Sequence, residues 1–256
     1  MASRIGVFVY GTAAYAVFLA TFLYALGFVG NFVVPKSIDS GAAMPFGTAL
    51  LVNAGLLAAF AVQHSVMARR PFKRMLARVI PEAAERSTYV LASSLALIAM
   101  FAYWQPMGGV VWSTDDAVLS AMLYAGFAMG WMIVLASTFL INHFDLFGLR
   151  QVWLYLKGQP YTHLPFQTPA LYRYVRHPLY FGWLLAFWMT PVMTVAHLFF
   201  AVMTTGYILV AIQLEERDLI TLHGEKYRQY REQVPMIVPV RAAIPAGQPA
   251  SERQTA

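Results

Sequence analysis

The sequence predicts an all-α, polytopic transmembrane helix bundle with four full spans, a C-terminal hairpin of two short passes, and both termini in the cytoplasm. Three observations predict it. Hydrophobic residues make up 59% of the 256 and charged residues 12%, against roughly 45–50% and about 25% in a soluble domain. Apolar stretches recur at the length a bilayer demands, about 20 residues for a hydrocarbon core of about 30 Å. The cationic residues are sorted into alternate connections, as the excess of Lys and Arg on the cytoplasmic side requires.

The first span, 5–34, runs too long for the apolar core of a signal peptide and is read as retained. Spans two to four follow at 46–67, 88–104 and 117–141, the third continuing to Pro106 without a charge. The block 179–214 contains no Asp, Glu, Lys or Arg and one histidine, His197. As one straight helix it would reach roughly 54 Å at 1.5 Å per residue. Pro191 and the 190–197 stretch interrupt it, so two short passes joined by a tight turn are expected.

Charge placement checks the count. With an inside N-terminus and six passes, all of the 18 Lys and Arg except Lys36 face the cytoplasm. They lie at Arg4, between spans two and three (Arg69 to Arg86), before the hairpin (Arg150 to Arg176) and in the tail. The connection after span three carries Asp115 and Asp116 with no cation. An odd number of passes would move the basic tail outside. Cations spread beside anionic headgroups gain about 1 kcal/mol each, which accounts for the +6 charge through a lipid bilayer and without nucleic acid. Zero Cys excludes a disulfide framework, a thiolate metal site and a cysteine nucleophile. Residues 1–241 read as one domain, with the hairpin and tail at 172–241, and 242–256, rich in Pro, Ala, Gln and Ser, are expected to be disordered.

Polar residues inside the spans are few, so no proton wire or ion pathway is indicated. Asn53, Gln63 and His64 on span two are the main exceptions. His64 reads first as an interfacial histidine. Asn142-His143-Phe144-Asp145 follows span four directly. The long connection after it holds an aromatic run at 151–161, read as an interfacial lid or pocket wall, because long loops of this kind are functional or disordered. Proline at a first helical position, as in Arg176-His177-Pro178, removes an amide that lacked a partner anyway. It leaves His177 at the cap and free amides suited to a carboxylate or phosphate. The hairpin returns the chain to the same face at Glu215-Glu216, so His177 and Glu216 are expected to meet.

At these residues a resemblance enters. Arg176-His177-Pro178-x-Tyr180-x-Gly182, Glu215-Glu216-x-x-Leu219, Gly224-x-x-Tyr227-x-x-Tyr230 and Val234-Pro235-x-x-x-Pro239 resemble the C-terminal signature of isoprenylcysteine carboxyl methyltransferase-like membrane enzymes. Related forms occur in phospholipid methyltransferases and, more loosely, in membrane sterol reductases. Gln63-His64-Ser65-Val66-Met67-Ala68-Arg69, Glu85-Arg86-Ser87-Thr88-Tyr89-Val90, Asn142-His143-Phe144-Asp145-Leu146-Phe147-Gly148-Leu149-Arg150-Gln151 and Thr168-Pro169-x-Leu171-Tyr172 look like bacterial methanethiol S-methyltransferases. The resemblance implies S-adenosylmethionine as donor, the small volatile thiol methanethiol as acceptor and dimethyl sulfide as product. It also implies a bacterial inner membrane, with the site toward the cytoplasm. It places His177, Tyr180, Gly182 and Glu216 along the cofactor pocket.

Methyl transfer from a sulfonium is an in-line displacement in which positioning alone can be worth roughly 7–11 kcal/mol. The donor's carboxylate needs cationic partners and free amides, and Arg173, Arg176 and the amides from Leu179 onward are candidates. Glu216, with Glu215 beside it, can accept from the donor's amine or ribose. The acceptor must lose a proton, since a free thiol has a pKa of about 8.5. His143 is the first candidate base, oriented by Asp145 or Asn142, with Phe144 beside the thiol, and His64 is the second. His143, Asp145, His163 and His177 lack the compact spacing of a metal site, and methyl transfer needs no metal. The competing readings are a larger prenylcysteine or amino-lipid acceptor, an NADPH-dependent reductase, for which no dinucleotide fingerprint exists, and a non-catalytic membrane protein.

Overall fold

The computed structural model describes residues 2–42, 44–162 and 164–239. His163 and the expected disordered tail 242–256 lie outside them. Among the described residues five helices are long and apolar enough to cross a membrane: α1 (Ala2–Gly30), α2 (Phe46–Met67), α4 (Glu82–Tyr103), α5 (Ala117–Ile141) and α9 (Val195–His223). Shorter helices connect them: α3 (Arg70–Leu76), α6 (His143–Leu146), α7 (Leu149–Lys157), α8 (Pro178–Trp188) and α10 (Glu225–Gln233). Local chemistry sets the boundaries. Asp116 caps α5 by accepting from the Leu119 amide at 2.7 Å, and Thr194 caps α9 by accepting from the His197 amide at 3.1 Å. Such caps satisfy amides that a helix start leaves without a partner.

The hairpin differs from the expected pair of short passes. Only its first arm is short: α8 has 11 residues and α9 has 29. The chain leaves the helix at Met189, and Val192–Thr194 forms strand β2, antiparallel to β1 (Val110–Ser113), with Val110 opposite Thr194 and Ser113 opposite Val192. Extended backbone needs partners for its amides and carbonyls, and this ribbon supplies them. It also explains how unequal arms meet. α8 rises roughly 16 Å and the extended turn adds about 20 Å, close to the roughly 32 Å that α9 climbs between Val195 and Glu216. Periodicity did not disclose the ribbon because three residues after Pro191 carry no alternation to read.

Aromatic rings fill the centre. Phe28, Phe101, Trp104, Phe187 and Phe200 are buried together, with Phe28–Phe101 and Phe187–Phe200 centroids 4.7 and 5.0 Å apart. The tightest helix contact joins α5 to α8. A Cβ on Gly182 would lie 2.7 Å from the Gly130 carbonyl oxygen and 2.8 Å from the Val134 amide nitrogen. Helices in lipid associate through such close backbone approach, since the surrounding tails are as apolar as the helices. Gly182→Leu is therefore expected to cost about 1–3 kcal/mol of overpacking, read as a lowered unfolding temperature in detergent.

The aromatic run 151–161 is not a lid over the hairpin. Its helix α7 packs on α1 and α4, with Val152 fully buried. Lys157 and Arg4 sit over the Trp153 and Tyr155 rings, as amphipathic cations do at an interface.

Candidate active site

One end of the hairpin gathers a buried ionic cluster. His177, at the cap of α8, places Nε2 3.1 Å from Glu216 Oε1 on α9, across 39 positions of sequence. Arg176 donates through Nε to the same oxygen at 2.7 Å, and Arg231 Nη1 approaches Oε2 at 3.9 Å. One turn inward, the Tyr180 hydroxyl donates to Glu215 at 2.9 Å.

The tail closes this unit. Arg176 and His177 donate their amides to the Pro235 and Met236 carbonyls at 2.9 and 3.1 Å. Tyr227, Tyr230 and Val234 are buried against α9 and Phe166, whose ring lies 5.0 to 5.8 Å from His223, Tyr230 and Tyr227. Phe166 thus supplies the wall expected of the aromatic run upstream. Burial, then Glu215, raises the Tyr172 pKa, so this phenol is a hydrogen-bond donor at neutral pH.

The expected cofactor residues divide by role. Arg176 is a strut, with Nη1 also donating to the Arg231 and Val234 carbonyls. Arg173 has no ion-pair partner among the described residues, and its Nε is buried without an acceptor. Leu179 is half-buried. Gly182 lies in the α5 contact rather than at the polar end. Sequence reasoning missed Arg231 and left Tyr227 as part of a signature without a role, although its hydroxyl is buried and unpartnered here.

His143 stands apart from this cluster. Its Nε2 meets the Tyr15 hydroxyl at 2.7 Å and its Nδ1 the Thr138 hydroxyl at 2.8 Å, and its ring stacks on Phe139 at 4.3 Å. Asp145 does not orient it. That carboxylate is held by Arg150 at 2.9 Å and by Tyr161 at 3.2 Å, because α6 turns it away toward α7. Asn142 caps α6 through the Asp145 amide at 3.1 Å, and Phe144 is exposed.

Burial lowers the His143 pKa, so the unfolded chain binds a proton first, near pH 6.5, and the fold loses stability as pH falls through that value. Unfolding temperature in detergent should drop between pH 7 and 5, and less so in His143→Gln.

His64 is tied to the hairpin side instead. Its Nε2 meets the Tyr89 hydroxyl at 2.7 Å and its Nδ1 the Ser93 hydroxyl at 3.1 Å. The next residue, Ser65, reaches Tyr207 on α9 at 3.1 Å, and Arg69 pairs with Asp218 at 3.1 Å. Among the described residues no three His, Asp or Glu side chains converge as a metal site would require.

A family model described as "Protein of unknown function (DUF1295)" matches residues 71–234. The chain is 60% identical over 237 residues to the methanethiol S-methyltransferase of Crocosphaera subtropica, covering 93% of each. It is 53% identical over 231 residues to that of Mycobacterium tuberculosis, covering 90% of this chain and 95% of the relative. Nurim of Xenopus laevis is 27% identical over 187 residues, covering 70% and 65%. No solved structure matches. The chain belongs to the DUF1295 family and, within it, to the family of the methanethiol S-methyltransferases.

Proposed function

We propose that this membrane enzyme transfers a methyl group from S-adenosylmethionine to methanethiol, giving dimethyl sulfide and S-adenosylhomocysteine. The observation that carries the reading is the Arg176–His177–Glu216 cluster closed by the tail, in a chain 60% identical to a methanethiol S-methyltransferase. The residues present fit the donor. Arg173 offers a buried, unused N–H to a carboxylate, Tyr227 a buried, unpartnered hydroxyl to a ribose or amine, and the Leu179 and Tyr180 amides open the α8 N-terminus to an anion. When bound, the donor supplies an electrophilic methyl on a positively charged sulfur. Glu215 and Glu216 favour that positive charge, while Arg176 and His177 hold the carboxylate of Glu216 in place.

The thiol must be deprotonated nearby. His64 is the better placed of the two histidines, because its neighbour Ser65 is bonded to Tyr207 on α9, the long arm of the hairpin, while His143 is held by Tyr15 of α1 and Thr138 of α5, apart from the cluster. Asn142, Asp145 and Phe144 then support the fold around α6. The cluster carries Arg69, Arg173, Arg176 and Arg231, so the positive-inside preference turns this end toward the cytoplasm of a bacterial inner membrane.

Purified protein in detergent, given labelled S-adenosylmethionine and a panel of volatile thiols, should release labelled dimethyl sulfide into the headspace. Label appearing only in prenylcysteine or amino lipids would transfer the reading to the larger acceptors. Binding of NADPH in place of S-adenosylmethionine would remove methyl transfer altogether.

A further inference from the structure

A cavity of about 60 Å³ lies between α2, α3 and α4, walled by Met67, Ala68 and Leu76 and floored by Arg86 and Tyr89. At its rim Lys73 pairs with Glu85 at 3.1 Å. Tyr89 also holds His64 at 2.7 Å, and Ser65 beside His64 ties this side of the bundle to Tyr207 of α9 at 3.1 Å. Resting on the methyl-transfer reading above, we propose that this cavity receives the acceptor thiol and that Arg86 holds it as the thiolate.

Size selects the occupant. One water needs about 10–15 Å³ on this measure, so the space suits a molecule of a few heavy atoms and excludes a prenyl chain. Charge selects its form. The Arg86 guanidinium carbon sits 5.2 Å from the Tyr89 ring centroid, and Nε donates to the Leu146 carbonyl at 2.6 Å. Its other nitrogens have no acceptor and no carboxylate within ion-pair distance among the described residues. An uncompensated guanidinium beside a thiol favours the thiolate. Lys73, by contrast, is already neutralised by Glu85. The apolar side walls Met67 and Leu76 suit a methyl group and a polarisable sulfur, and offer nothing to the several oxygens of a phosphate.

The proton has a route. With Nδ1–H of His64 donated to Ser93, Nε2 accepts from Tyr89. The thiol S–H bond breaks to the Tyr89 oxygen as the Tyr89 proton passes to Nε2, leaving a thiolate beside Arg86 and an imidazolium at His64. No electrons are lost or gained.

The test uses the full chain in detergent with S-adenosylhomocysteine bound, so that no turnover occurs, and follows ¹³C-methanethiol by NMR. Wild type should show a saturable shift. Ala68→Trp, which fills the cavity, should weaken it about tenfold or more while S-adenosylhomocysteine affinity stays within about twofold. Arg86→Gln should move the acidic limb of kcat/KM about one pH unit or more upward, and Arg86→Lys should restore most of it. Leu76→Ala should raise kcat/KM for propanethiol relative to methanethiol about tenfold, the range one or two methylenes supply. Unchanged thiol binding in Ala68→Trp, or displacement of the thiol signal by inorganic phosphate, would overturn the proposal. Failure of wild type to bind S-adenosylhomocysteine at all would instead overturn the methyl-transfer reading on which it rests.

Discussion

Glu216→Gln is expected to weaken S-adenosylhomocysteine binding and to slow methyl transfer by about 100-fold. The side chains of Arg176, His177 and Glu216 are each exposed by 10% or less, and removing one partner of such a pair costs about 2–5 kcal/mol. Most of that cost arises because Arg176 and His177 lose the negative charge they share in a place water does not reach. The loss should propagate, since Arg176 also fastens α8 to the carbonyls of Arg231 and Val234. A control lies two residues along α9. Asp218→Asn breaks the Arg69–Asp218 pair, whose side chains are 39% and 62% exposed, and exposed pairs contribute about 0.2–1 kcal/mol. Calorimetric titration and thermal unfolding of both variants should show a large effect for Glu216 and almost none for Asp218. Equal effects would mean that burial does not govern this end of the hairpin.

His64→Ala is expected to lower kcat for methanethiol by about 10²–10⁴, the range a positioned proton acceptor supplies, with S-adenosylhomocysteine affinity kept. The deficit should shrink as pH rises, because solvent then delivers the thiolate directly. His143→Ala should behave differently. Its ring fills space between Phe139, Tyr15 and Phe147, so its removal leaves a cavity and takes away the Tyr15 hydroxyl's partner, while Thr138 keeps its bond to the Leu135 carbonyl. The unfolding temperature should fall while kcat per folded molecule is retained. Loss of kcat in His143→Ala with retention in His64→Ala would reverse the assignment.

Much of this architecture is legible in composition and charge. Spans two and four begin and end where the apolar runs do, because in lipid only apolar side chains can surround a helix. The meeting of His177 and Glu216 follows from chain reversal alone: two ends of one hairpin share a membrane face. What stayed hidden depends on contacts between distant segments. The ribbon between Val110–Ser113 and Val192–Thr194 needs a partner strand that local pattern does not announce. The pairing of Asp145 with Arg150 and Tyr161, and not with His143, depends on the turn of α6. Gly182 carries the same letter whether it opens a pocket or admits a helix, and only the 2.7 Å that an added Cβ would leave to the Gly130 carbonyl distinguishes them. Arg86 and Tyr89 were visible as part of a motif, yet their chemistry emerged only with the cavity they floor.

If the closed end of the hairpin holds the donor, a crystal structure with S-adenosylhomocysteine bound will show it there. The ligand is expected between α8, α9 and the tail, with its carboxylate on Arg173 and its sulfur toward Tyr89. A ligand seated beside His143 and Tyr15, away from Glu216, would contradict it.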